Sequence, residues 1–177
     1  DNTDIEDRKG QLKENEKSNY EYNQKLQLLN EKIISTKAEI WGGDKYTRKG
    51  TELSKLEIKI ETNLSNHKKT LSFFQNNDTC NTCTQPVDKV FKQQKINSEA
   101  NKISELEAGL MKLTGEIKKN QSKIDEMNNI KDRINDLNIS VAKINTSISE
   151  INRHSNRLDT EIAKLESEKD NTGKIAY

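Results

Sequence analysis

Gln75-Asn76-Asn77-Asp78-Thr79-Cys80-Asn81-Thr82-Cys83-Thr84-Gln85-Pro86 is the stretch on which the fold turns. Residues 75–85 lose the helical spacing of apolar side chains that runs on both sides of them. The Asn-Asn-Asp cluster predicts a helix end followed by a turn. Pro86 suits the first turn of a new helix, with Asp88 favourable beside its N-terminus. The only two cysteines of the chain, Cys80 and Cys83, sit inside this bend.

Working outward, one seam precedes the bend. Ile5, Leu12, Asn19, Leu26, Ile33 and Ile40 recur every seven residues, with Tyr22 and Leu29 as partners. The segment Trp41–Gly50 interrupts it with three glycines, each costing about 1 kcal/mol against alanine in a helix. The pattern resumes out of phase at Leu53, Leu56, Ile60, Leu64, His67, Leu71 and Phe74. After the bend, Ile103, Leu106, Leu110, Leu113, Ile117, Asn120, Ile124 and Met127 alternate by three and four. A phase slip follows Asn128-Asn129, a stammer-like discontinuity. Ile134, Leu137, Val141, Ile144, Ile148, Ile151, Leu158, Ile162 and Leu165 then continue the run.

Two long seams about a short turn predict an all-α chain: a long antiparallel intramolecular coiled-coil hairpin with a CxxC hook at its apex. The expected segments are an ascending helix 1–76 (interrupted near 41–50), an apex 77–86, a descending helix 87–170 and a frayed terminus 171–177. Arms of this length give a rod on the order of 110 Å. A parallel dimer of unbroken helices is the competing arrangement, and the turn signals and Pro86 count against it.

Composition agrees with a thin seam. The chain has 177 residues, 33% charged and 30% hydrophobic, far less apolar than a globular domain of that size. A two-stranded coiled coil buries only a narrow stripe and needs no more. The net charge of +1 provides no basic field for phosphate, so direct DNA binding by this segment is not expected. Apolar runs never exceed three residues, so no membrane span is expected. The first residue is Asp, which suggests a piece of a longer polypeptide. One CxxC in a long charged chain fits a reducing compartment, and a cytoplasmic location is expected.

The chemistry resides in Cys80 and Cys83. Two residues of spacing let both sulfurs face one ion at about 2.3 Å, half of a tetrahedral zinc site. His67 and His154 are too far along the chain to complete the set, so the remaining sulfurs are expected from a second copy, with one zinc ion shared by two chains. An iron–sulfur site uses similar ligands. A metal-free reduced pair and a redox-active CxxC are the rival readings, the latter without the βαβ context it normally has. Phe73 and Phe74 before the cysteines, and Val87, Val90 and Phe91 after them, predict a small apolar tip. Asn19 and Asn120 in the seam can fix register, but in an Asn-rich chain tolerated imperfection is the simpler reading. His67 is expected as a half-buried packing residue. Trp41 and Tyr46 beside Lys45, Arg48 and Lys49 form an aromatic–basic group of a kind that can contact nucleic acid, but five residues are thin evidence and a plain kink is the favoured reading. No phosphate loop, nucleophile elbow or H-E-x-x-H motif occurs, so the segment is not expected to be an enzyme.

Coiled coil, Cys-x-x-Cys apex, coiled coil: this layout resembles the zinc-hook region of the SbcC-type, SMC-related DNA double-strand-break repair ATPases. The resemblance covers the whole chain in architecture and Cys80 and Cys83 in specific residues. It implies metal ligation by those cysteines and homodimerisation through the hook. It also implies ATPase segments beyond both ends of this chain, whose heads act with a nuclease subunit on DNA. Family members often carry proline after the first cysteine and glycine after the second, where this chain has Asn81 and Thr84. The Asn- and Lys-rich composition would suit a divergent member from a virus of bacteria. The expected function is zinc-mediated homodimerisation that tethers the heads of a repair or recombination complex. The alternative is a coiled-coil spacer or scaffold without metal.

Overall fold

The computed structural model describes residues 1–175, and the protein is all-α over them. Three helices account for most of the chain: α1 (Asn2–Glu39), α2 (Asp44–Asn76) and α3 (Lys89–Ile175). Asp1 caps α1 by accepting from the Thr3 N–H, and Asp4 and Lys37 complement its dipole at either end. The expected frayed terminus differs: α3 persists through Ile175, and the last two positions of that prediction lie outside the described residues.

The break between α1 and α2 is shorter than the glycines suggest. Only residues 40–43 leave the helix, with Gly42 at φ 73° providing the left-handed step that a side chain would resist. Residues 44–50 are helical. Gly50 has a packing role there: a Cβ at this position would lie 3.1 Å from the Asn120 amide nitrogen. That nitrogen donates to the Tyr46 carbonyl at 2.9 Å. Asn120 is 5% exposed, so this seam asparagine makes a specific contact and is not merely tolerated.

The chain divides into two compact units, one made of Asp1–Trp41 with α3 from Asn129, the other of Gly42–Asn128. In the first, Arg8 meets Glu161 at 2.8 Å, Asn15 meets Ser155 at 3.0 Å, and Asn19 meets Asn152 at 2.9 Å. Glu39 meets Arg133 at 2.6 Å. As the α1 number rises, its partner's number falls. The same order holds in the second unit, where Lys49 faces Glu116 at 3.8 Å, Lys68 faces Glu107 at 3.3 Å, and Asp78 faces Lys92 at 2.6 Å.

The core is a stripe. Ile5, Ile33, Leu64, Ile103, Leu113, Ile134, Leu158 and Ile162 are the buried apolar residues, and among the described residues no side chain is fully enclosed. On α1 the less exposed positions step by threes and fours through Ile5, Arg8, Leu12, Asn15, Asn19, Tyr22, Leu26, Leu29, Ile33 and Thr36. Arg8, Asn15 and Thr36 therefore occupy seam places that a search for aliphatic residues passes over. On α2 the seam holds Glu57, whereas Leu56 is 46% exposed, which corrects the expected sequence of seam residues. The α3 stripe takes two steps of three in succession, at Ile124, Met127 and Ile130. That is the expected phase slip, centred just before Asn128.

Candidate metal centre

α2 ends at Asn76, and Asn77 leaves the helix in an extended conformation while its side-chain amide donates back to the Phe73 carbonyl at 2.9 Å. A single bridge between Thr79 and Pro86 then closes the bend. Pro86 is therefore outside the helix it was expected to open, because the bridge needs it in extended geometry. Asp88 takes the capping role instead, accepting from the Phe91 N–H at 3.1 Å just ahead of α3.

Inside the bridge, the Cys80 N–H donates to the Gln85 carbonyl at 2.9 Å and the Thr84 N–H to the Cys80 carbonyl at 3.0 Å. Below it, the Val87 N–H reaches the Asp78 carbonyl at 2.8 Å. The Lys92 ammonium bonds the Asp78 carboxylate, which holds that carboxyl below its ordinary range. Phe74 joins the two sides, stacking edge-on to Phe73 with centroids 5.2 Å apart and to Phe91 at 6.0 Å. Val90 and Phe91 remain more than half exposed, so the apolar tip is open on one side.

This framework brings the two predicted ligands together. Cys80 and Cys83 lie 3.5 Å apart, close to the roughly 3.8 Å that separates two sulfurs bound tetrahedrally to zinc at about 2.3 Å. Both are free thiols, Cys83 exposed and Cys80 partly so. The Thr82 N–H points at the Cys80 sulfur from 3.4 Å. Hydrogen bonding from the Cys83 backbone, then from the Thr82 backbone and the Cys83 side chain, pulls the Cys80 thiol below its usual pKa against a small opposing effect of burial. Backbone donors aimed at a sulfur favour its thiolate, the form that ligates a metal. The donor set thus fits a soft, tetrahedral ion, of whose four ligands it would provide two.

The turn that aims the sulfurs is strained at one residue. Thr84 has φ 58°, the left-handed region that a β-branched side chain resists. Its hydroxyl bonds the Cys83 carbonyl at 2.7 Å. Asn81 follows the first cysteine, but the left-handed step is at Thr84, after the second.

Neither histidine is part of the bend. His154 is hydrogen-bonded to the Asn15 amide. His67 is 31% exposed and pairs with the carboxylate of Glu99, which is buried at 3% side-chain exposure and also faces Lys95 and Lys102. Burial alone would push the Glu99 carboxyl up. The His67 hydrogen bond, its charge, and the two lysines outweigh that and hold it below the carboxylate range. Sequence reasoning missed Glu99, since one acid among twenty-nine acidic residues carries no mark. Among the described residues no three His, Cys, Asp or Glu side chains converge on one point. No helix in that set is long and apolar enough to cross a membrane. Neither a family model nor a curated protein matches the chain.

Proposed function

We propose that this protein is a tethering module: an antiparallel intramolecular coiled-coil hairpin whose apex pairs with that of a second copy through one zinc ion bound by Cys80 and Cys83 from each chain. The observation that carries the reading is the sulfur pair itself. Two solvent-reachable thiols are held 3.5 Å apart by a hydrogen-bonded turn, with a backbone N–H directed at one of them. The opposed order of contacts within each unit supports the hairpin.

In this reading the ion, when bound, supplies the bond between molecules, and everything else belongs to the chain. The Thr79–Pro86 bridge and the Asp78–Lys92 pair fix the bend, and the Phe73–Phe74–Phe91 cluster seats it on the helices. Structural zinc sites contribute about 10–16 kcal/mol in small peptides, far more than the roughly 1.5–3 kcal/mol from burying one exposed tip phenylalanine. The sulfurs therefore dominate affinity between copies. By the resemblance described above, the module would belong to a cytoplasmic SbcC-type repair ATPase acting with a nuclease subunit on DNA, in the host cytoplasm if the parent is viral. It would do no chemistry of its own.

Sedimentation of the reduced chain with zinc, before and after a strong chelator, tests the proposal. Dimers that collapse to monomers on chelation are expected. Dimers indifferent to the chelator would leave a metal-free spacer as the better account.

A further inference from the structure

The geometry points to a second use of the same two sulfurs: Cys80 and Cys83 form a reversible intrachain disulfide that takes both ligands out of the shared site and releases the tether. This rests on the reading above for its consequence, but the covalent step stands on the turn alone. The cysteines lie 3.5 Å apart with Cys83 exposed and Cys80 partly so. A disulfide bond is about 2.05 Å long, so closure needs a movement of roughly 1.5 Å. Asn81 and Thr82, the two residues between them, are exposed and free of helix, so they can absorb such a shift. The Val87 N–H to Asp78 carbonyl bond and the Thr79–Pro86 bridge lie outside the Cys80–Cys83 link and need not change.

The oxidant class is a small hydroperoxide. The Cys80 sulfur, toward which the Thr82 N–H points, attacks one peroxide oxygen as its thiolate, the O–O bond breaks, and a sulfenic acid forms at Cys80 with hydroxide (or alkoxide) as leaving group. The Cys83 thiol then attacks the Cys80 sulfur, the S–O bond breaks, and water leaves. Two thiols are oxidised by two electrons in all and the peroxide is reduced by the same two. The return uses a small thiol, which attacks one sulfur of the disulfide to give a mixed disulfide; a second thiol displaces it and restores both cysteines. A sulfur bonded to sulfur is no longer a thiolate donor, so ligation and the disulfide exclude each other. The thiol pool of a reducing compartment keeps the pair ligation-competent, and a peroxide pulse withdraws it.

The test uses the whole chain, reduced, with and without zinc. Substoichiometric hydrogen peroxide should make both cysteines refractory to alkylation together, with the intact mass of one chain falling by two hydrogens and reversal by a thiol reductant. Cys80→Ser should form no such product, and Cys83→Ser should accumulate a sulfenic acid at Cys80 that a dimedone probe traps. In the zinc-loaded protein the same dose should abolish the dimer, with full recovery after reduction and fresh zinc. Interchain disulfides, or one cysteine overoxidised while the other alkylates freely, would overturn the switch. A dimer that survives complete intrachain oxidation would overturn its coupling to the tether. Failure of the reduced chain to dimerise with zinc would count against the proposed function, and the mass readout would still judge the disulfide.

Discussion

The bend between Asn77 and Asp88 and the helices on either side of it are held by different means. The stem relies on a stripe of aliphatic side chains spread over many turns, with Ile5, Leu64, Leu113 and Leu158 among its buried members. The bend has no buried apolar residue of its own. It is held by backbone hydrogen bonds at Cys80, Thr84 and Val87, one side-chain ion pair, and an edge-stacked aromatic cluster at its base. A seam tolerates single defects because its stabilisation is distributed. A bend fixed by a few directional contacts does not, and its sulfurs are set by those contacts alone. Stability and tethering should therefore be separable by mutation.

The largest expected effect separates them outright. Replacing both Cys80 and Cys83 by serine should remove zinc-dependent dimerisation entirely, while helicity is unchanged and the unfolding free energy of the metal-free chain stays within about 0.5 kcal/mol of the parent. Circular dichroism and sedimentation on the same sample check it. Loss of helicity would mean that the bend and the stem are not independent.

Next in size is Leu64→Ala in the stem, which should cost about 2–3 kcal/mol by denaturant unfolding. Met111→Ala, at 78% exposure, should change stability by less than about 0.5 kcal/mol. Neither should alter zinc stoichiometry. Equal losses at the two sites would contradict the stripe.

The heptad pattern of Ile5 to Ile33 and of Ile103 to Leu165 made the helical class and the two-seam layout readable from the residue order, because aliphatic spacing is a dense and redundant signal. The cysteine pair was readable for the opposite reason: two rare residues at one spacing. What escaped lies between these extremes. Arg8, Asn15, Thr36 and Glu57 sit in the seam because a helix keeps its phase whatever side chain falls there, and polar residues leave no periodic mark. Leu56 looked like a seam residue because leucine is apolar, yet the phase places its neighbour inward. Pro86 signalled a helix start, but a proline fits an extended bridge equally well. The break near Trp41 looked longer than it is because Gly50 serves side-chain clearance for Asn120, which glycine counting cannot distinguish from flexibility.

A smaller effect concerns Glu99. Its native pKa is depressed, so it contributes stability above the ordinary carboxyl pKa of about 4.3, and that contribution is lost as pH falls through the lower native value. Glu99→Gln should cost about 1–2 kcal/mol at pH 7, because His67 and both lysines lose a buried carboxylate partner while remaining partly solvated themselves. The penalty should shrink towards zero below about pH 4. Thermal melts of both proteins across that range check it, and a penalty independent of pH would contradict the charged pairing.

The smallest effect is at Thr84. Glycine there relieves the left-handed strain, worth about 1 kcal/mol, and forfeits the hydroxyl bond to the Cys83 carbonyl. Thr84→Gly should tighten zinc binding to the reduced chain by a few-fold, measured by competition with a chromophoric chelator. Thr84→Val, which keeps the branch and loses the hydroxyl, should weaken it.

The most direct test is a zinc titration of the reduced chain, with bound metal and molar mass measured on the same fractions. Binding should saturate at one zinc per two chains, with dimer mass appearing in step with the metal. One zinc per chain at monomer mass would contradict the shared site.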